Sequence, residues 1–137
     1  MVEVLVALVV LSVGMLGISA LYVISMRSGT SAIYRTQAVS LANDLAERVR
    51  ANRNANIAYR GPAANNNCVN GGVVCTPAQL AANDLFVWNR QVAATLPAAT
   101  WTVGVTGGIT PFTYLITVNW SEPAQAAPLT YALSFQI

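Results

Sequence analysis

After a lone glutamate at position 3, residues 4–26 run for 23 positions without a single charge. A helix of that length spans about 34 Å, enough to cross the roughly 30 Å hydrocarbon core of a bilayer with some tilt. The apolar region of a secretory signal is shorter, about 7–15 residues, and follows a basic start. Here no Lys or Arg precedes the run and no small-x-small site follows it, so the segment is expected to be a retained membrane span. The run also explains much of the composition, which is 55% hydrophobic and 9% charged, against about 25% charged in an average soluble domain. A chain of 137 residues has room for one small domain beyond it.

The orientation of the span carries a conflict. Arg27 and Arg35, the first basic residues, follow it, and by the positive-inside rule alone they put the C-terminal part in the cytoplasm. Cys68 and Cys75 point the other way, because two cysteines this close in an exported domain read as a disulfide. The rule counts charges flanking the span at biosynthesis, so a basic leader upstream resolves the disagreement. Closing a ring of about eight residues is worth about 2.5 kcal/mol by the chain-entropy expression. A metal site needs more ligands than these two.

No proline occurs before Pro62, so the helix is free to continue past the membrane. Tyr34, Ala38, Leu41, Leu45 and Val49 recur at spacings of three and four and form one apolar stripe. Asp44 and Arg48 are an i,i+4 pair expected on the other face. The helix is expected to fade around 52–56, giving an N-terminal element over 1–54: a membrane segment at 4–26 and an amphipathic half at 27–54. Residues 55–137 then complete a globular head. In it, 57–75 reads as a loop with a turn at Asn70-Gly71-Gly72. Thr76-Pro77-Ala78-Gln79 starts a second helix with a capping box and an early proline. Ala81, Leu85, Trp88, Val92 and Leu96 follow at helical spacing, and Pro97 ends the segment.

Beyond Pro97 the apolar period changes from 3.6 to 2. Trp101, Val103 and Val105 share one face of a first strand. Phe112, Tyr114, Ile116, Val118 and Trp120 share that of a second, and Leu129, Tyr131, Leu133, Phe135 and Ile137 that of a third. Clean alternation of this kind predicts an antiparallel meander with one buried face, the natural cover for the Tyr34–Val49 stripe. The expected fold class is α+β: a long N-terminal helix laid on a small antiparallel sheet, with a second helix.

Catalytic chemistry finds little to work with. The chain has no histidine, the commonest general base and metal ligand. Its five carboxylates, at 3, 44, 47, 84 and 122, are scattered, and nothing is present to activate the many hydroxyls. Gly71-Gly72 and Gly107-Gly108 sit at expected turns and not in a phosphate loop. A net charge of +2 is too small to argue for nucleic acid, and Arg48, Arg50, Arg53 and Arg60 read as a solvated helix face. No enzyme activity, cofactor, metal site or direct nucleic-acid contact is expected.

The stretch "MVEVLVALVVLSVGMLG" resembles the class III signal of type IV pilins, in which a basic leader ending in Gly is removed by a prepilin peptidase. In that family a glutamate stands at the fifth mature position, and Glu3 matches it, so the chain is expected to begin two residues inside the mature form. Together with "LANDLAERVRANR" and "CTPAQLAANDLFVWNRQ", the pattern is similar to the PilV minor pilins. The resemblance implies a pilin fold and a subunit-pairing role for Glu3, which meets the N-terminal amine of a neighbour in the filament core. It implies partners among other minor pilins and the major pilin. It also implies an inner-membrane site with a periplasmic head before assembly into a surface pilus of a Gram-negative cell. Near a helix N-terminus the dipole favours such a carboxylate, while Ser12, Gly14, Gly17 and Ser19 permit close helix approach. Two alternatives share the architecture: a minor pseudopilin of a type II secretion system, and a membrane-anchored adhesin-like binding domain that never polymerises.

Overall fold

The computed structural model describes every residue except Met1, Asn70, Gly71, Ile109 and Ala124. Its first element is a 50-residue helix, α1 (Val2–Ala51). Two compact units divide within it, residues 1–33 and 34–137. In the first unit every described side chain from Val2 to Thr30 is exposed. Ser12, Ser19 and Thr30 turn their hydroxyls back onto the carbonyls of Val9, Met15 and Met26, a common way of satisfying a polar group on an apolar helix. By length and composition this helix is able to cross a membrane.

The second unit is built around the remaining turns of α1. Ala38, Ala42, Leu45, Ala46 and Val49 are its buried residues, with Tyr34 and Leu41 packed against the same core. The stripe is therefore wider than the large residues alone indicate, because small alanines let neighbouring elements approach the helix backbone. α1 stops where Asn52 turns its amide inward, donating to the Pro77 carbonyl at 2.9 Å. A short 3-10 helix, Arg53–Arg60, follows and is broken at Asn56, which carries a φ of 48°, a conformation asparagine tolerates better than most residues. Here the N-terminal helix was expected to fade over 52–56 and a loop to begin at 57. It is held by Ala55 and Tyr59, both buried.

The second helix, α2 (Pro77–Thr95), begins with the expected capping box: the Thr76 hydroxyl accepts from the Gln79 N–H, and the Gln79 side chain accepts from the Thr76 N–H. Ala81, Leu85, Trp88, Val92 and Leu96 are at most 2% exposed, so the periodic residues all face the core. Three strands complete the unit: β1 (Thr100–Thr106), β2 (Thr113–Trp120) and β3 (Leu129–Gln136). They form an antiparallel sheet in the order β1-β2-β3, with Ile116 opposite both Val103 and Leu133. Gly107, at φ 111°, supplies a turn after β1 that a side chain would strain.

The inner face of the meander grades from centre to edge. Tyr114, Ile116, Val118 and Trp120 on β2 are buried, whereas Leu129, Tyr131, Leu133 and Phe135 on β3 are only half-buried. The expected strand faces are all present, and the long helix packs on the sheet beside α2. That is the architecture of a pilin-like α+β protein.

Candidate assembly surfaces

Glu3 lies in the first turn of α1, exposed. No cation pairs with it among the described residues. Large apolar side chains follow on all sides of the helix as far as Met26, each roughly half to three-quarters exposed. A helix apolar all round demands either lipid or other helices around it. Nothing in this segment folds back on itself to meet that demand.

In the second unit, Cys68 and Cys75 are joined by a disulfide, with Cα atoms 5.7 Å apart. The enclosed loop displays Val69, Val73 and Val74, the last 96% exposed. Of the expected turn within it, Asn70 and Gly71 lie outside the described residues, and Gly72 adopts a φ of 63°. Upstream, Asn66 ties the loop to α2: its N–H donates to Asn83 Oδ1 at 3.1 Å and its amide to the Gln79 carbonyl at 2.9 Å.

A buried polar network locks α1, the 3-10 helix and α2 together, and sequence reasoning did not anticipate it. The Tyr59 hydroxyl donates to Asp84 Oδ2 at 2.7 Å. Asn52 Nδ2 approaches the same hydroxyl at 3.4 Å. Arg48 bridges two carboxylates, Asp44 at 3.0 Å and Asp84 at 3.6 Å. The Asp44–Arg48 pair thus forms, but Arg48 is a half-buried strut to α2 and not part of a solvated face. A carboxylate as buried as Asp84 is tolerable only when paired and hydrogen-bonded, and here it is both. The clue in the sequence was a single aromatic residue among Asn, Ala, Arg and Ile57 at 52–60, a segment too short for periodicity to register.

Burial, reinforced by the bond to Asp84, raises the Tyr59 pKa well above the ordinary tyrosine value of 10.0. Burial also raises that of Tyr114, whose hydroxyl donates to the Asn56 carbonyl at 2.9 Å. Each folded-state pKa lies above its unfolded value. The contribution to stability is therefore complete below pH about 10 and is lost as pH rises beyond it. Chemical denaturation of the wild-type protein between pH 8 and 11 should show stability falling above pH about 10. Tyr59→Phe should make that fall shallower, and an unchanged slope would remove Tyr59 from the network.

Among the described residues, no group of three or more His, Cys, Asp or Glu side chains is placed to hold a metal ion. The features that stand out are surfaces and struts. Residues 20–86 match the family model named Tt1218-like, described as Type IV pilin Tt1218. No curated protein and no solved structure matches the chain significantly. The matched stretch takes in part of α1, the disulfide loop and the first half of α2, and over those residues the chain is similar to type IV pilins.

Proposed function

We propose that the protein is a minor pilin of the PilV type, a structural and assembly component of a type IV pilus. It polymerises, or primes polymerisation, through its apolar N-terminal helix. On this reading residues 4–26 span the inner membrane of a Gram-negative cell, and the head waits in the periplasm. After a prepilin peptidase has removed a leader, the chain joins other minor pilins and the major pilin in a surface pilus. It acts without catalysis, and its effects on twitching and adhesion are indirect.

The observation that carries the reading is Glu3, an exposed carboxylate in the first turn of a helix that is apolar on every side. An ionised group within lipid costs several kcal/mol. A neighbour's N-terminal amine removes that cost, so the residue is unfavourable in the lone protomer and satisfied in the assembly. It thereby selects one axial register between subunits.

Glu3→Ala should leave the amount of protein in the membrane fraction unchanged. Its recovery in sheared pili should fall about tenfold or more, as expected when one partner of a buried ion pair is removed. Normal incorporation of the alanine variant would sink the register role. If deletion of the protein leaves pili intact but stops protein secretion, it is a minor pseudopilin of a type II secretion system instead.

A further inference from the structure

The charges of the second unit are unevenly matched. Asp44, Glu47 and Asp84 are each paired with Arg48 or Arg50, and Glu122 is buried, accepting a bond from Trp120 Nε1 at 2.9 Å. With Glu3 these are all five acidic side chains of the protein. Arg35, Arg53, Arg60 and Arg90, all exposed, have no such partner among the described residues. This surface offers free cations and no free acidic side chain.

One of these cations stands over a groove. Arg35 and Val39 on α1, with Trp120, Leu129, Thr130 and Tyr131 from the sheet, line an open depression of about 210 Å³. Arg50, on the same flank of α1, already has partners: it pairs with Glu47 and its guanidinium lies 5.1 Å from the centre of the Phe135 ring. Arg35 has the aromatic wall but no carboxylate.

The outer wall of the groove is a free strand edge. Reciprocal bonds between Phe112 and Ile137 set the parity of the β2–β3 ladder. The backbone N–H and C=O groups of Thr130, Ala132, Ser134 and Gln136 therefore point away from β2. β3 is the last strand of the sheet, and such an edge is a template for an added strand.

We propose that this groove docks an extended segment of a different protein chain, which runs along the β3 edge and presents a carboxylate to Arg35. A second copy of this chain is a poor occupant, because all four of its acidic side chains in this unit are already engaged. A lipid surface is a poor one too, since recognition of anionic headgroups uses clusters of about 4–8 basic residues and the groove has one. The partner is an acidic subunit of the same assembly. That identification of its source rests on the pilin reading above.

The test uses the full chain in cells, with a photo-crosslinking amino acid in place of Thr130, whose side chain is exposed. Irradiation should give an adduct with another pilin, joined near an Asp or Glu. Arg35→Glu should lower its yield about tenfold or more, as like charges face each other. Arg35→Lys should retain most of it, and Arg90→Glu, on α2 outside the groove, should leave it unchanged. Adducts with a second copy, adducts with lipid only, or no adduct would each overturn the proposal. So would an adduct indifferent to Arg35→Glu in protein that remains folded by protease resistance. An acidic partner that is not a pilin, with Glu3→Ala incorporating normally, would keep the groove and remove the pilin reading. An absent adduct with Glu3→Ala excluded from pili would do the reverse.

Discussion

Leu45→Asp is expected to unfold the head, whereas Arg50→Ala leaves it standing. Leu45 is fully buried near the middle of the apolar stripe of α1. No cation among the described residues pairs there to receive a carboxylate, since Arg48 is already committed to Asp44 and Asp84. Burying an unpaired carboxylate costs several kcal/mol unless it protonates or the site opens. Domains of this size are stable by only about 5–15 kcal/mol. Arg50 lies on the same helix but is half exposed, and its contacts with Glu47 and Phe135 are together worth on the order of 1 kcal/mol. Thermal melts of a soluble fragment covering 28–137 should show a cooperative transition for wild type and Arg50→Ala, and none for Leu45→Asp. A Leu45→Asp melt equal to wild type would mean that the stripe faces water.

Trp88→Ala should have the next largest effect. Trp88 is fully buried, meets Trp101 edge-on with ring centres 5.3 Å apart, and donates its indole N–H to the Leu41 carbonyl at 2.8 Å. Truncating a buried aromatic of this size costs about 3–5 kcal/mol, and at about 4–8 °C per kcal/mol for a unit near 100 residues the melting temperature should drop by on the order of 15 °C or more. Trp88→Phe, which keeps a ring but loses the donor, should fall between alanine and wild type. If alanine shifts the melt by less than about 3 °C, the site collapses around the gap and Trp88 does not anchor α2 to α1.

The elements whose side chains repeat with a clear period were legible from the sequence. Leu45 and Val49, Leu85, Trp88 and Val92, and Ile116 and Val118 sit where spacings of 3.6 and 2 put them. The capping box at Thr76 could be read because its chemistry is local, four residues long and independent of the rest of the fold. Tyr59 and Asp84 could not be read that way. Their meeting depends on how the 3-10 segment crosses α2, 25 residues apart in sequence, and no periodic signal reports such a crossing. Arg48 was misjudged for the same reason: its i,i+4 partner was visible, but the strand of contacts that draws it inward was not. The groove under Arg35 was equally hidden, because Val39 falls off the main stripe and its neighbours come from residues 120–131. Glu3 stood out because one carboxylate beside 23 uncharged residues needs no tertiary context to be conspicuous.

The ties that close the head join places far apart in the chain. The indole of Trp88 reaches back 47 residues to Leu41, and the Tyr114 hydroxyl reaches 58 residues to Asn56. During synthesis at about 5–20 residues per second, the stripe of α1 emerges several seconds before the strands that cover it. Only when β3, the last of the three described strands, has left the ribosome are all its partners present. Contacts of such separation form late and slowly, so this head should close only after β3 has emerged. Until then, the half-made domain carries an uncovered greasy helix, the kind of surface that chaperones recognise. Truncated chains ending before residue 129 should bind them persistently, while chains that include β3 are released.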